Sequence, residues 1–311
     1  MKHLFIINPA AGSYNQTEVY RKKIAQVCEE RDLEYAIEVS GAPGQCAKIA
    51  NRAAKTGEEV RVYSCGGDGT MNEIVTGVAG YDNVAVTMFA GGSGNDFTRI
   101  FSQPEAFKDL SRLLDAEETS FDLIKVNEDY SLNICSVGLD ARIAADVANY
   151  KRLPLLSGFR AYAASTLVNV IKGIGEHYVV EINGERIDGK HTLICACNGR
   201  FYGGGFNPVP EADPADGKLE VLLIRDVSRF LVPKVIGKYK NGKYAQLPHL
   251  VRHYSTDRLK IICHKPTPVN LDGELRIADV VNIRIAEEKV RFFYPKGLTW
   301  KKTPERELTT V

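Results

Sequence analysis

The sequence lacks the long apolar runs and the charge bias that mark specialised classes of protein. Its longest stretch without Asp, Glu, Lys or Arg covers residues 3–17 and is interrupted by Asn8, Pro9 and Gly12. A helix that spans a bilayer needs about 20 apolar residues, so no such helix is predicted. The 40 basic residues nearly equal the 39 acidic ones, and 44% of the chain is apolar, which excludes an intrinsically disordered protein. We expect a globular protein that resides in the cytoplasm.

Sequence signals for a zinc site are also missing. The seven cysteines include no C-x-x-C pair, and the closest candidates for zinc ligands are Cys195-x-Cys197 and Cys263-His264. Both pairs lie in alternating apolar runs that predict strands, where a free cysteine usually acts as a small buried side chain. None of the six histidines has a paired spacing near a glycine-rich motif. We therefore expect no metal site built from cysteine or histidine.

The first third of the chain contains an alternation of two periodicities. Apolar patterns predict strands at 2–7, 34–39, 60–64 and 84–89, with helices at 17–31, 44–55 and 71–78 between them. Strand–helix alternation at this spacing is typical of a parallel sheet with helices on its faces. Ligands bind to such sheets in the loops beyond the carboxyl ends of the strands.

The pattern changes near residue 120. From Phe121 onward, most apolar runs alternate with a period of two between turn signals, and one helical pattern occurs at 158–172. A chain of 311 residues is long enough for two domains. We predict an α/β nucleotide-binding domain at 1–122 and an all-β, sandwich-like domain at 123–300. A tail at 301–311 is expected to fray or to pack back on the first domain.

Three glycine-bearing loops, at 8–13, 65–70 and 91–97, follow predicted strands. Glycine lets main-chain amides approach an anion, and the amino terminus of a following helix adds partial positive charge. Because parallel strands end at the same edge of a sheet, the loops are expected to converge on a nucleoside triphosphate, with Asp68 able to hold a magnesium ion directly or through water. Taken alone, the loop at 65–70 is equally consistent with a strand-to-helix turn that binds nothing.

Two common nucleotide-binding motifs are absent. The sequence has no GxxxxGK[ST] motif, and no GxGxxG motif follows a strand with an acidic residue about twenty positions on. The first absence excludes a P-loop enzyme, and the second disfavours redox chemistry with a dinucleotide.

Motifs that run in order over nearly the whole chain carry a family resemblance. The chain resembles the bacterial diacylglycerol kinase family that includes the YegS-like and BmrU-like lipid kinases, which is related to sphingosine kinases and NAD kinases. The matching segments are 8–12, 66–73, 92–99, 138–141, 203–205, 213–219 and 271–274. Of these, the segment Gly-Ser-Gly-Asn-Asp-Phe at 92–97 favours lipid kinases over NAD kinases.

The resemblance implies an NAD kinase-like first domain, the cofactors ATP and Mg²⁺, and specific site residues. Magnesium is expected at Asp213, Asp216 and the carbonyl oxygen of Lys218, and Glu274 is expected to accept the proton. Several relatives have a lysine where this chain has Ser13, and Arg21 or Lys22 is a candidate substitute. The residues expected to bind ATP are Asn8, Pro9, Ala10, Ala11, Gly12, Ser40, Gly66, Gly67, Asp68, Gly69, Thr70, Met71, Asn72 and Ser93.

The chemistry of phosphoryl transfer agrees with these assignments. Transfer to an alcohol requires neutralised phosphate charge, in-line geometry and a base for the hydroxyl proton. Glu274 or Asp68 could be that base, and their positions in different domains predict an active site in the interdomain cleft. Without the resemblance, residues 272–274 would more simply form a hairpin turn. Asp213 and Asp216 would fit a solvated acidic loop equally well.

A local charge asymmetry suggests how a lipid would be reached. Residues 225–265 contain ten basic and two acidic side chains, a net charge of +8, with apolar residues interleaved. This composition favours transient peripheral binding to an anionic membrane, although a solvated helix face is the simpler alternative and nucleic acid a third. The stretch 150–172 is a second candidate. We expect a lipid substrate at a membrane surface and no nucleic acid, and a homodimer stays open.

Three functions remain in contention at this point. The first is an ATP-dependent lipid kinase that phosphorylates a hydroxyl of a diacylglycerol-like or related lipid. The second is an NAD kinase-like activity on a soluble substrate. The third is a nucleotide- or lipid-binding regulator without catalysis, against which the presence of both Asp68 and Glu274 counts.

Overall fold

The computed structural model describes residues 1–12, 15–91, 94–151 and 174–300. The helices in this part are α1 (Thr17–Glu30), α2 (Gln45–Ala54), α3 (Asp68–Val78), α4 (Leu110–Leu114), α5 (Leu139–Lys151) and α6 (Val232–Lys240). The strands are β1 (Lys2–Ile7), β2 (Tyr35–Val39), β3 (Val60–Cys65), β4 (Val84–Met88), β5 (Ala116–Val126), β6 (Asp129–Ser131), β7 (Ile134–Gly138), β8 (Glu176–Ile182), β9 (Glu185–Cys197), β10 (Leu219–Arg225), β11 (Val251–Thr256), β12 (Arg258–Leu271) and β13 (Glu274–Pro295).

The first part of the chain forms strands and helices at the expected places. Strand β1 pairs in parallel with β2 and β3, and β3 pairs in parallel with β4. The carboxyl ends of these strands therefore face the same edge, from which the three glycine-bearing loops extend. Helix α3 begins at Asp68, three residues earlier than predicted, so that the second loop leads directly into a helix amino terminus.

The second part is rich in antiparallel strands, as expected. Strands β8, β9 and β10 pair in sequence, and β7 lies between β9 and β12. The predicted helix at 158–172 lies outside the residues that the structure describes. Two described helices of this part, α5 and α6, were not predicted, and neither was the short helix α4 of the first part. Helix α5 begins directly after β7 with no turn signal in the sequence, because Gly138 adopts a φ of +118° that lets the chain change direction at once.

The long strand β13 joins the two parts. Its first half pairs antiparallel with β12, and its second half pairs antiparallel with β5 and in parallel with β4. One hydrogen-bonded order therefore runs from β11 in the second part to β2 in the first. The sequence predicts two domains, which agrees with this architecture, but it gives no sign that a strand of the second domain completes the sheet of the first.

Buried aromatic side chains pack together at this junction. Phe292 of β13 lies 5.3 Å from Phe97 and 5.6 Å from Phe121 between ring centroids, and all three rings are buried. Because Phe97 is the last residue of the third glycine-bearing loop, this cluster connects that loop to β13. Among the described helices, none is long and apolar enough to cross a bilayer. The seven cysteines are free and buried, as expected of small apolar side chains.

Candidate active site in the interdomain cleft

A cavity of about 590 Å³ lies where the glycine-bearing loops meet the β12–β13 hairpin. The predicted site residues that line it are Asn8, Ala11, Gly12, Gly67, Asp68, Gly69, Thr70 and Glu274. The second part of the chain supplies the opposite wall through Asp140, Tyr202, Gly203 and the hairpin. The structure therefore brings together loops from one part and the predicted base from the other.

Hydrogen bonds hold the three loops side by side. The Asn8 side-chain amide donates to Thr70 Oγ1 over 3.0 Å, which links the first loop to the second. The Gly91 main-chain N–H donates to the Gly66 carbonyl oxygen over 3.2 Å, which links the third loop to the second. The loops thus form one continuous surface of main chain along the edge of the sheet.

The amino terminus of α3 is shaped to receive an anion. Gly67 precedes the helix and carries no side chain that could cap the first N–H groups, which have no acceptor within a helix. A methyl group added at Gly69 would lie 2.9 Å from Glu274 Oε1, and one added at Gly94 would lie 2.6 Å from Asp68 Oδ2. Glycine at these positions keeps the cleft open beside the two carboxylates, which fits a bound nucleotide phosphate.

Glu274 is held beside this helix terminus by a tightly anchored hairpin. Asp272 and Gly273 form the turn with positive φ values of 52° and 100°, so the simpler interpretation of this segment as a turn is also correct. The Asp272 carboxylate accepts hydrogen bonds from the main-chain N–H groups of Leu132, over 2.7 Å, and Ile134, over 2.8 Å. Burial and the nearby Glu73 raise the pKa of Glu274 above its usual value, which makes its carboxylate a stronger base.

Asp68 belongs to a pair of carboxylates. Its Oδ1 accepts a hydrogen bond of 2.7 Å from the main-chain N–H of Asp96, whose own side chain is only 3% exposed. Burial and the negative charge of Asp96 raise the pKa of Asp68 to about 7. The Asp96 side chain in turn accepts a hydrogen bond from the Gly204 N–H over 2.7 Å and pairs with Arg99 at 3.0 Å. Asp96 thereby connects the third loop to the second part of the chain.

Sequence reasoning did not predict that Asp96 and Asp140 line the cleft. Both lie within segments that carry the family resemblance, but no residue spacing indicated that their side chains would line the cleft. The Asp140 carboxylate accepts hydrogen bonds from Ser136 Oγ over 2.7 Å and Tyr202 OH over 3.3 Å. Burial raises the pKa of Asp140 above its usual value.

The described wall of the cleft is acidic. Six carboxylates line it, and no lysine or arginine does so within the described ranges. The candidate substitutes for a basic residue at position 13, Arg21 and Lys22, are exposed and do not line the cavity. Among the described residues, the groups of this wall that could bind a triphosphate are main-chain amides, with cations to offset the negative charge of the carboxylates. The six carboxylates are those of Asp68, Glu73, Asp96, Asp140, Asp272 and Glu274.

Several other residues that were expected to bind ATP do not line this cavity. Met71 and Asn72 are buried in α3, where the Asn72 amide donates to the Tyr130 carbonyl oxygen over 3.0 Å. Ser40 is buried at the end of β2, with its main-chain N–H bonded to the Ile7 carbonyl oxygen over 2.9 Å. Pro9, Ala10 and Gly66 also lie away from the cavity wall, and Ser13 and Ser93 are outside the described residues.

The acidic loop predicted to bind magnesium lies apart from the cleft. Asp213 Oδ1 accepts a hydrogen bond from the Ala215 N–H over 3.1 Å, and Asp216 Oδ1 accepts one from the Lys218 N–H over 3.0 Å. Each carboxylate has a second oxygen atom, and the Lys218 carbonyl supplies a third oxygen. Hard cations prefer oxygen ligands of these kinds. The described residues hold no cluster of three His, Cys, Asp or Glu side chains able to bind a metal.

A second, apolar cavity adjoins the cleft. It measures about 190 Å³ and shares Asp140, Tyr202 and Gly203 with the cleft wall. Its remaining lining is almost entirely aliphatic and aromatic, and comes from α5, α6, strands β9 and β10, and the connecting residues Phe206 and Val227. Cavities of this composition take the apolar part of a ligand.

Comparison with known proteins agrees with this arrangement. Residues 2–126 match the diacylglycerol kinase catalytic domain, and residues 133–293 match the YegS C-terminal NAD kinase beta sandwich-like domain. A protein of Staphylococcus carnosus that is provisionally named a lipid kinase is 26% identical over 297 residues, which cover 94% of this chain and 96% of that protein. A Staphylococcus epidermidis protein with the same provisional name is 25% identical over 272 residues, which cover 87% of this chain and 88% of that protein.

A solved structure shows the same fold. It is the crystal structure of a protein of Bacillus anthracis that is provisionally described as a diacylglycerol kinase. The TM-score is 0.73 at 20% sequence identity, and the alignment covers 94% of this chain and 96% of that one.

Proposed function

Because the chain belongs to the family that joins a diacylglycerol kinase catalytic domain to a YegS C-terminal domain, we propose that it is an ATP-dependent lipid kinase. It would transfer the γ-phosphoryl group of ATP to a hydroxyl group of a diacylglycerol-like or related lipid. The observation that carries the proposal is the juxtaposition of Gly69, at the amino terminus of α3, with Glu274 from the other part of the chain.

The proposed reaction uses the two walls of the cleft for different tasks. The phosphates would lie on the loops at 8–12 and 67–70, where main-chain N–H groups and the α3 terminus bind negative charge. The acceptor oxygen attacks the γ-phosphorus, the bond from that phosphorus to the β,γ-bridging oxygen breaks, and ADP leaves. Glu274 takes the hydroxyl proton, for which its raised pKa suits it.

We further propose that magnesium is required. With six carboxylates on the wall, the cleft would repel a triphosphate unless divalent cations neutralised the phosphate oxygens. Asp68 would hold one such ion, directly or through water. Asp213, Asp216 and the Lys218 carbonyl would hold another away from the cleft, where it would stabilise the loop that closes on β5 through a 2.8 Å hydrogen bond from the Gly217 N–H to Asp122.

The apolar cavity favours a lipid over a soluble acceptor. It opens beside the same Asp140 and Tyr202 that line the cleft, so an acceptor could place its hydroxyl in the cleft and an apolar chain in the cavity. A dinucleotide, which an NAD kinase-like enzyme would phosphorylate, has no alkyl chain to fill such a space. The proximity of Glu274 to the α3 terminus supports catalysis over a silent regulatory role.

The decisive experiment measures transfer of the γ-phosphoryl group from labelled ATP to diacylglycerol in mixed micelles, with NAD as a separate acceptor. We expect a Glu274→Gln variant to keep its ATP affinity but to lose about 10²-fold or more in turnover, because general-base catalysis is removed. Glu287→Gln is the matched control, since Glu287 lies exposed on the same strand. Phosphorylation of NAD but no lipid would refute the proposal, and a Glu274→Gln variant within a few-fold of wild type would refute the role of Glu274.

A further inference from the structure

An aromatic side chain projects from the second part of the chain into solvent. Phe230 is 94% exposed and its neighbour Leu231 is 44% exposed. They lie in a short 3₁₀ turn, Arg229–Leu231, between β10 and α6. Full exposure of a phenylalanine is unfavourable in water, so this turn is a candidate for contact with an apolar environment outside the molecule. We refer to residues 229–231 as the tip.

The residues on either side of the tip in the sequence include basic side chains that form no ion pair among the described residues. Six basic residues and one acidic residue lie between positions 225 and 243. Throughout the part of the chain that the structure describes, no Asp or Glu forms an ion pair with any of the six. The basic residues are Arg225, Arg229, Lys234, Lys238, Lys240 and Lys243.

The rest of the basic stretch predicted from the sequence behaves differently. Arg252 lies 4.0 Å from Glu185, Arg258 lies 2.8 Å from Asp257, and Lys265 lies 3.0 Å from Glu176. These three cations lie on strands β11 and β12, where neighbouring carboxylates offset their charge. Apart from Lys260 on β12, the basic residues of 225–265 without an ion pair among the described residues all lie between positions 225 and 243, in the tip, in α6 or next to them.

The segment behind the tip forms a wall of the apolar cavity. Helix α6 buries Val232, Val235 and Tyr239 against the body of the protein, while Lys234 and Lys240 face solvent. Val232 and Val235 also line the apolar cavity that adjoins the cleft. The same short segment thus exposes a phenylalanine to the outside and borders the space assigned to the acceptor.

We propose that the tip is a membrane anchor, in which Phe230 and Leu231 insert among the lipids of an anionic bilayer while the basic residues close to it in the sequence bind its head groups. Charge complementarity favours a lipid surface, because a segment that combines exposed apolar side chains with lysine and arginine is typical of interfacial binding. The anchor does not depend on catalysis. Its use to deliver a substrate lipid into the adjoining cavity rests on the proposed function.

Vesicle sedimentation tests the anchor without reference to catalysis. The probe is a vesicle of phosphatidylcholine with about one third phosphatidylglycerol, compared with phosphatidylcholine alone. We expect Phe230→Ser combined with Leu231→Ser to weaken binding to anionic vesicles by about 10-fold or more, because apolar burial is lost. Val19→Ser is the matched control, since Val19 is 61% exposed on α1 and is expected to leave binding unchanged.

A fluorescence measurement locates the inserted residue. The chain has one tryptophan, Trp300, which is 7% exposed, so a Phe230→Trp variant adds a reporter against a constant background. Its emission should shift to the blue with anionic vesicles and should be quenched by brominated lipid. A tip that binds another protein instead would show no blue shift and no loss of vesicle binding in the double serine variant, and either result would overturn the proposal.

An activity comparison separates the anchor from the proposed function. The double serine variant should lose activity on vesicle-borne diacylglycerol but keep activity on a short-chain, water-soluble analogue. Loss of vesicle binding with no activity of the wild type on any lipid would support the anchor and refute the lipid kinase. Equal loss of activity on both substrates would show a damaged cleft and overturn the role of the tip in substrate delivery.

Discussion

Asp68 carries a cost at the scale of a single residue. Its carboxylate lies beside Asp96, and burial with this neighbouring charge raises its pKa to about 7. The ionised form is thus disfavoured in the protein without nucleotide or metal. A carboxylate of this kind binds a cation favourably, but it lowers the stability of the protein when no cation is bound. Carboxylates with perturbed pKa values are common at functional sites.

This cost predicts a pH-dependent effect of Asp68→Asn. Between the ordinary pKa of aspartate and the raised value, the folded protein binds more protons than the unfolded chain, so wild-type stability falls as the pH rises through that window. Asparagine keeps the acceptor for the Asp96 N–H and carries no charge. The variant should therefore gain more thermal stability over wild type at about pH 8 than at about pH 5. Equal gains at both pH values, measured by calorimetry without metal, would contradict the raised pKa.

The residues of the site differ in how well the sequence predicts them. The loop residues Gly67, Asp68 and Gly69 follow from a local pattern, because a strand, glycines and a helix are adjacent in the chain. Glu274 lines the same cleft although it lies 206 positions after Asp68 in the sequence. Only the family resemblance distinguished it from an ordinary turn residue. No local sequence pattern indicates Asp96 or Asp140, because their positions in the cleft depend on burial and on hydrogen bonds formed in the folded protein.

At the scale of elements, helices α3 and α6 each contain a glycine, and the surroundings of these two glycines differ sharply. Gly77 allows α3 to approach α2 closely, and a methyl group there would lie 2.3 Å from the Ala47 carbonyl oxygen. Gly237 of α6 faces open space, with no atom within 4 Å of an added methyl group. The two positions form a natural matched pair.

We therefore expect alanine substitutions of opposite sign at these two glycines. Gly77→Ala should destabilise the protein by about 1–3 kcal/mol, because the backbone of α2 must move. Gly237→Ala should stabilise it by about 0.5–1 kcal/mol, because alanine loses less conformational entropy in a helix. Urea denaturation measures both free energies of unfolding. A destabilising Gly237→Ala would show that the exposed face of α6 is packed against something in solution.

Element boundaries also show where sequence patterns stop being informative. Helix α3 was predicted from its apolar residues at 71–78, but it begins at Asp68 because glycine-rich segments give no periodic signal. Helix α5 was missed because it follows β7 without an intervening turn. In both cases the unpredicted turn of helix borders the cleft. Disagreement between local sequence patterns and the structure is expected at functional sites.

At the scale of the whole molecule, β13 makes the two parts mutually dependent. It pairs with β12 at one end and with β4 and β5 at the other, and Phe292 is fully buried in the core of the first part. We expect one cooperative unfolding transition in urea, in which Trp300 fluorescence and far-ultraviolet circular dichroism coincide. Trp300 reports the junction because its ring lies 4.9 Å from that of Phe121.

Phe292→Ala sharpens this expectation. It should lower the free energy of unfolding by about 3–5 kcal/mol, as is usual for a large buried ring, and both probes should shift together. Two separate transitions, or a shift in only one probe, would show that the domains unfold independently and that β13 is a local connection.

The position of β13 also has a consequence for synthesis on the ribosome. Nascent domains generally fold from the amino terminus as they emerge. In this protein, Ala85 and Val86 of β4 pair with Arg291 and Phe292. This edge of β4 therefore stays unpaired until residue 292 has been translated. During that interval β4 presents an open apolar edge, a site at which nascent chains aggregate or recruit chaperones. Slower translation of the later codons would prolong this exposure. We therefore expect it to lower the yield of folded protein.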